Sequence, residues 1–235
     1  KNLYRHVAAL QATTLLQQLH DTTMPIPYMH IFAMLTALKQ ICNHPASYLK
    51  DADNYTRYES GKWELFTELL EEAAESRQKV VVFSQYLSML DIIEAHLKKL
   101  KVGYAQIRGE TRLRGEEISR FHKDPDCRVF LGSLHAAGLG IDLTAAEVVI
   151  HYDRWWNPAR ENQATDRVHR IGQERGVQVF KLVTKETVEE KIDAMIERKK
   201  GLLEDIVTFD DQNIVKKLLT REEIIFFLEE LKSGA

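Results

Sequence analysis

The chain has no G-x-x-x-x-G-K-[ST] run anywhere in its 235 residues. It therefore carries no Walker-type loop to cradle a β,γ-phosphate. The nearest glycine-rich piece, Gly138-Leu139-Gly140, lacks the third glycine of the dinucleotide fingerprint. A nucleotide-binding dehydrogenase is thus the weakest enzyme reading. Cysteine is scarce: Cys42 and Cys127 stand far apart and form no C-x-x-C pair. That argues against a zinc site or a disulfide framework, so no metal site is expected, and it fits a reducing, intracellular compartment. No apolar run is long enough to cross a bilayer and no signal peptide is visible, so no membrane partner is expected. There is no excess of positive charge either. The formal net charge is −3, so any nucleic-acid binding must come from a local patch that whole-chain charge averages away.

What is present is an ordinary globular share of apolar residues, 44%. The length suits one large domain, or one domain with helical additions. The first residue is Lys1, not Met, which suggests a fragment of a longer protein. Residues 1–60 read as a helical segment. Ile31, Leu35, Leu38 and Cys42 recur at three- and four-residue spacing, giving one apolar face. Pro25 and Pro27 break the chain before that helix, His44-Pro45 ends it, and Asp51 to Ser60 reads as a polar linker.

Between 61 and 186 the pattern changes. Strand-like runs at Val80–Phe83, Tyr104–Ile107, Arg128–Leu131, Val148–Ile150 and Val177–Val183 alternate with helical stretches. The helix after the second run has Thr111 as an expected N-cap, and Pro158 suits the first turn of a later helix. Strands and helices taking turns predict an α/β fold: a parallel sheet sandwiched by helices. The strand runs are continuously apolar, as strands buried on both faces require. Ligands in such sheets bind at the carboxyl ends of strands, where Ser84-Gln85, Gly109, Ser133 to Asp142 and Asp153 to Asn157 fall. Residues 187–235 turn helical and charged again. On pattern alone, Glu189, Glu190, Lys191, Glu197, Arg198, Lys199 and Lys200 make a solvated helix face with Ile192 and Ile196 inside.

The most informative stretch is Gln163-Ala164-Thr165-Asp166-Arg167-Val168-His169-Arg170-Ile171-Gly172-Gln173. Arg167 and Arg170 are three apart at the end of an expected helix, a spacing that shares one face. Two guanidinium forks could reach one phosphate together. The competing reading is an Arg–Asp surface pair with Asp166, worth little. His169 has no partner nucleophile and reads as packed or hydrogen-bonded. Arginines of this kind without a phosphate loop suit half of a two-lobed motor.

Together with Ile41-Cys42-Asn43-His44-Pro45, Val82-Phe83-Ser84-Gln85, Gly138-Leu139-Gly140-Ile141-Asp142 and Trp156-Asn157-Pro158, this run resembles the Swi/Snf family of DNA-dependent ATPases, within the superfamily-two helicases. The resemblance covers the second RecA-like lobe over nearly the whole chain. It implies a RecA-like sheet, a helical insertion before the lobe and brace helices after it. It implies that Arg167 and Arg170 act as arginine fingers, with Gln163 sensing nucleotide or coupling lobes. Gly138, Gly140 and Asp142 would lie by the nucleotide. Ser84, Gln85, Gly109, Thr111, Arg114, Ser133, Trp156 and Asn157 would touch the DNA backbone, with Arg112 nearby. The stretch departs from the family at Leu134 and His135, where Thr and Arg are usual. Trp155, by contrast, reads as core.

The resemblance further implies ATP with Mg, bound mainly by an absent first lobe, and double-stranded DNA as partner. The chain alone is then expected to be inactive. Localisation follows the owner: cytoplasm or nucleoid in a prokaryote, nucleus in a eukaryote. The protein cargo is not named by the sequence. Two alternatives stay open: an RNA helicase lobe of the same superfamily, and a degenerate lobe kept as a protein-binding scaffold.

Overall fold

The computed structural model describes residues 1–109, 111–133, 140–169, 176–199, 216 and 219–233. Its centre is a five-stranded sheet with strand order β2-β3-β1-β4-β5, every pairing parallel. The strands are β1 (Val80–Ser84), β2 (Gly103–Ile107), β3 (Cys127–Ser133), β4 (Val148–His151) and β5 (Gln178–Lys181). The three central strands are buried along their length except at Arg128, whereas β5 is an edge strand with much of its length exposed.

Side chains alternate across a strand, so each central strand feeds two cores. Val80, Val82, Val129, Leu131, Val148 and Ile150 pack on one face, against Phe66 of α4 (Gly61–Glu75) and Met89, Leu90, Ile93 and Leu97 of α5 (Leu87–Leu100). Val81, Phe83, Phe130 and Val149 pack on the other. There they meet Phe121 of α6 (Arg114–Lys123), Ala164 of α7 (Pro158–Thr165) and Val168. Burying both faces is what makes continuous valine runs the right strand sequence.

A third core lies beside the sheet. Helices α1 (Asn2–His20) and α2 (Tyr28–Asn43) pack with α8 (Val188–Arg198) and α9 (Arg221–Ser233) around Leu16, Leu19, Leu35, Leu38, Ile192, Ile196 and Leu228. The first and last stretches of the chain therefore build one helical layer. Among the described residues no helix is long and apolar enough to cross a membrane.

Two sequence expectations, the 51–60 linker and the Thr111 cap, need correction, and two further features add to what was expected. The stretch 51–60 is more than a polar linker. Ala52–Arg57 forms a 3-10 turn whose Tyr55 is buried beside His44, Trp63 and His96. Aromatic edges supply the apolar area that a polar-looking sequence hides. His44 does end α2, but it also caps the short α3 (Pro45–Leu49), its Nδ1 accepting from the Ala46 N–H at 3.2 Å. Helix α4, capped by the Ser60 hydroxyl at the Trp63 N–H, adds an element to those expected. Thr111 is not the cap of α6, whose N-cap is Leu113 without a side-chain bond. The Thr111 hydroxyl instead accepts from the Arg108 N–H at 2.9 Å and closes the turn after β2.

Candidate functional site

Because all five strands are parallel, their carboxyl ends share one edge, the usual ligand side of such a sheet. Ser84 and Ser133 are register partners there, at the ends of β1 and β3. Gly109 and Thr111 follow β2, and Asp153 to Asn157 follow β4.

The β2 end forms one hydrogen-bonded turn. Arg114 donates from Nε to the Thr111 carbonyl at 3.0 Å and from Nη2 to the Gly109 carbonyl at 3.2 Å. Three expected backbone-gripping residues are thus brought together, with Arg112 exposed beside them. Arg108, in contrast, is held inward by Asp91, by Glu94 at 2.8 Å and by Gln106 at 3.0 Å.

The β1 end is organised around a residue that sequence reading did not single out. Asp153 is fully buried. It accepts from the Ser84 hydroxyl, the Gln85 N–H at 3.2 Å and Asn43 Nδ2 at 3.3 Å. Burial pushes its carboxyl above the usual range, against Lys39, Ser84, Gln85 and Lys62, which pull it down. Gln85 Nε2 donates to the Arg154 carbonyl at 2.9 Å. The expected role of Ser84 is corrected here. Its side chain is buried and engaged by Asp153, so the hydroxyl is not presented to a nucleic-acid phosphate. Ser133 is also buried, with Oγ lacking a partner among the described residues.

Trp155 and Trp156 turn into different cores. Trp155 packs under the sheet beside His151. Trp156 is 2% exposed and lies among the helices of the third core, with Lys39 Nζ 5.6 Å from its ring centroid. The expected contact of Trp156 with DNA is therefore corrected: its ring is enclosed in the third core. Asn157 is buried too, and its Oδ1 accepts from the Ala159 N–H at 3.0 Å, capping α7. That role suits an Asn-Pro pair at a helix start and corrects its expected contact with DNA.

Helix α7 ends at Thr165, before the arginines, not after them. The chain tightens into i→i+3 bonds, Arg167 N–H to the Ala164 carbonyl at 3.2 Å and Val168 N–H to the Thr165 carbonyl at 2.9 Å, as Val168 turns into the core. Half-buried Arg167 thus sits in a turn. Its carbonyl accepts from the Leu143 N–H at 2.9 Å, which ties the turn to the loop of Gly140 and Asp142. Gly140 has φ +67, a left-handed backbone that glycine adopts at little cost. Asp142 is exposed and accepts from the Thr144 N–H at 3.0 Å. Gln163 is half-buried on α7, and His169 is exposed, so of its two expected states, packed or hydrogen-bonded, it is not packed. Arg170, Gly138, Leu134 and His135 lie outside the described residues.

A second buried acid, Glu161 of α7, was also not singled out. Its carboxylate accepts from Arg154 Nε at 2.9 Å and the Trp155 N–H at 2.8 Å, and pairs with Lys181 at 2.9 Å. Burial alone would raise it, but Arg154 and Lys181 hold it below its ordinary value. The partners of Asp153 come from distant segments, whereas Glu161 pairs with Arg154 seven residues before it and with Lys181. Glu189 likewise departs from the solvated face expected of it: it is fully buried against Lys62. Among the described residues no group of three or more His, Cys, Asp or Glu could hold a metal ion.

Residues 61–172 match the family model of the helicase conserved C-terminal domain. The putative ATP-dependent helicase/translocase YwqA of Bacillus subtilis is 42% identical over 205 residues, 86% of this chain and 21% of that protein. The chain thus spans about a fifth of the length of this and similar curated relatives. Among solved structures, the Sulfolobus solfataricus SWI2/SNF2 ATPase core in complex with dsDNA superposes with a TM-score of 0.76 at 37% identity, over 94% of this chain and 46% of that one. The C-terminal domain of the Sulfolobus solfataricus SWI2/SNF2 ATPase gives 0.72 at 32% identity, over 95% of this chain and 92% of that one. A RecA-like parallel sheet, the order of motifs along its edge and this near end-to-end match agree, and the chain belongs to the SWI2/SNF2 family of superfamily-two helicases, as the C-terminal lobe of its ATPase core.

Proposed function

We propose that the chain is the second lobe of an ATP-driven translocase on double-stranded DNA that remodels protein–DNA complexes. The observation that carries this reading is that 94% of this chain overlaps 46% of an ATPase core whose structure includes dsDNA. The hydrogen-bonded turn of Gly109, Thr111 and Arg114 supports it. Backbone N–H groups and arginine guanidinium groups hold phosphates without reading sequence. Binding is then salt-sensitive and sequence-independent.

ATP is the substrate. It is held mainly by a first lobe that supplies the Walker loop this chain lacks, and by the same logic magnesium belongs to that lobe. Arg167 and Arg170 complete the site when the lobes close, placing positive charge where the transition state develops negative charge. Gly140 and Asp142, bonded to the Arg167 turn through Leu143, lie on the nucleotide side. An intracellular location follows from a need for ATP and chromosomal DNA.

The test is steady-state ATP hydrolysis by the intact protein with duplex DNA and with single-stranded RNA. Duplex stimulation that Arg170→Ala abolishes is the expected result. Stimulation by RNA in preference to duplex overturns the DNA reading, and no stimulated turnover in either case points to a scaffold.

A further inference from the structure

Helix α8 carries Glu189 and Asp193 four residues apart, a spacing that places both on one face. Each enters a different polar cluster. Glu189 receives Lys62 Nζ on both carboxylate oxygens at 2.6 Å, and also the Thr184 N–H at 2.9 Å. Lys62 passes on to Asn43 Oδ1 at 3.3 Å and to the Tyr152 carbonyl at 3.4 Å. Asn43 donates to Asp153, which holds the Ser84 hydroxyl and the Gln85 N–H. The first cluster thus runs from α8 to the carboxyl end of β1.

Asp193 pairs with Arg154 Nη1. Arg154 Nε reaches Glu161 at 2.9 Å, and the Glu161 backbone carbonyl accepts from the Thr165 hydroxyl at 3.0 Å. Thr165 is also 2.9 Å from His151 Nε2 and ends the helix that leads into Arg167. The second cluster thus runs from α8 to the arginine turn. The two clusters touch at Asp153 and Arg154, consecutive residues that belong one to each.

Buried ion pairs are poor sources of stability, because desolvation offsets most of their attraction. Their use here is better sought in geometry. Charged hydrogen bonds are short and directional, so moving α8 moves both ends of the network. We propose that Glu189 and Asp193 are positioning residues that tie half-buried Gln85, at the end of β1, to the Arg167 turn, linking duplex binding at that strand end to ATP turnover through one face of α8. Neither touches ATP or DNA. The inference rests on the function proposed above and adds to it a route of coupling inside this lobe.

The experiment uses the intact protein and measures ATP hydrolysis against duplex concentration for wild type, Asp193→Asn and Glu189→Gln. Asp193 is the safer variant, because its side chain is 32% exposed where that of Glu189 is fully buried. Asp193→Asn should raise the half-saturating duplex concentration, or cut duplex stimulation, by at least about fivefold, the low end of usual coupling between sites. The KM for ATP and the turnover without DNA should stay within about twofold, a split that a general loss of structure does not give. Two results overturn the inference: a folded Asp193→Asn protein with wild-type duplex response, or a parallel loss of basal turnover, ATP KM and melting temperature. If wild type itself shows no duplex response, the function proposed above fails and this inference falls with it. If wild type responds and both variants match it, only this inference fails.

Discussion

Lys62 and Glu189, 127 residues apart in the chain, form a buried ion pair at 2.6 Å with side chains 3% and 0% exposed. Lys62 comes from the first turn of α4 and Glu189 from that of α8, so one contact joins the sheet's flanking layer to the helical layer. Removing one partner strands a charge in the interior. Lys62→Met or Glu189→Met should each destabilise the fold by about 3–5 kcal/mol, whereas the double substitution should cost far less. Urea denaturation of the three variants checks this. A double substitution that costs the sum of the two single losses would contradict it.

Arg167 lies in the turn bonded to Leu143, beside the loop of Gly140 and Asp142. In the intact protein, Arg167→Ala should lower kcat for ATP by roughly 10³-fold, as loss of an arginine finger does. Duplex affinity measured without nucleotide should stay unchanged. A variant with wild-type kcat would return Arg167 to a surface role.

His44 and His151 are both pushed down to about 4 by burial, from an ordinary 6.5. Between those values the unfolded chain binds protons on both rings while the folded chain does not. Stability from this source is fully present above pH 6.5 and falls as pH drops toward 4, by up to about 3 kcal/mol per ring. Asp153, raised by burial, works in the opposite direction. Denaturation midpoints at pH 7 and pH 5 should therefore separate, and His151→Gln should narrow the gap. Coincident midpoints in wild type would show that the rings do not control acid stability.

Two glycines are required by space. A Cβ on Gly103 would lie 2.3 Å from the Asp126 carbonyl oxygen, a backbone atom that cannot swing aside. A Cβ on Gly132 would lie 2.7 Å from the ring of Phe83, whose other neighbours are packed. Gly103→Ala and Gly132→Ala should each destabilise by about 1–3 kcal/mol through overpacking. Gly61→Ala, where nothing lies within 4 Å, serves as the control. Thermal melts that rank Gly61→Ala as the worst of the three would reject this account.

The strand runs at 80–83, 128–131 and 148–150 were legible because valine-rich continuity has one physical meaning, burial on both faces. The run around Arg167 was legible because its residue types and order are dense in information. Helix α7 was expected to reach the arginines, but Val168 turning into the core ends it earlier. Trp156 carried no local mark of its burial, since the core it enters is built from α1, α2, α8 and α9.

By itself, then, the sequence determined the α/β class, the family resemblance and the candidate edge of the sheet, because periodicity and motif order are local properties. Only the tertiary structure decided which of those residues are buried and which are exposed. Ser84, Trp156 and Asn157 became internal, while Asp153, Glu161 and Glu189 emerged as the buried acids that hold the site's elements together. For Asp153 and Glu189 the pairing depends on segments more than a hundred residues away, Asn43 with Asp153 and Lys62 with Glu189, and no local spacing encodes it.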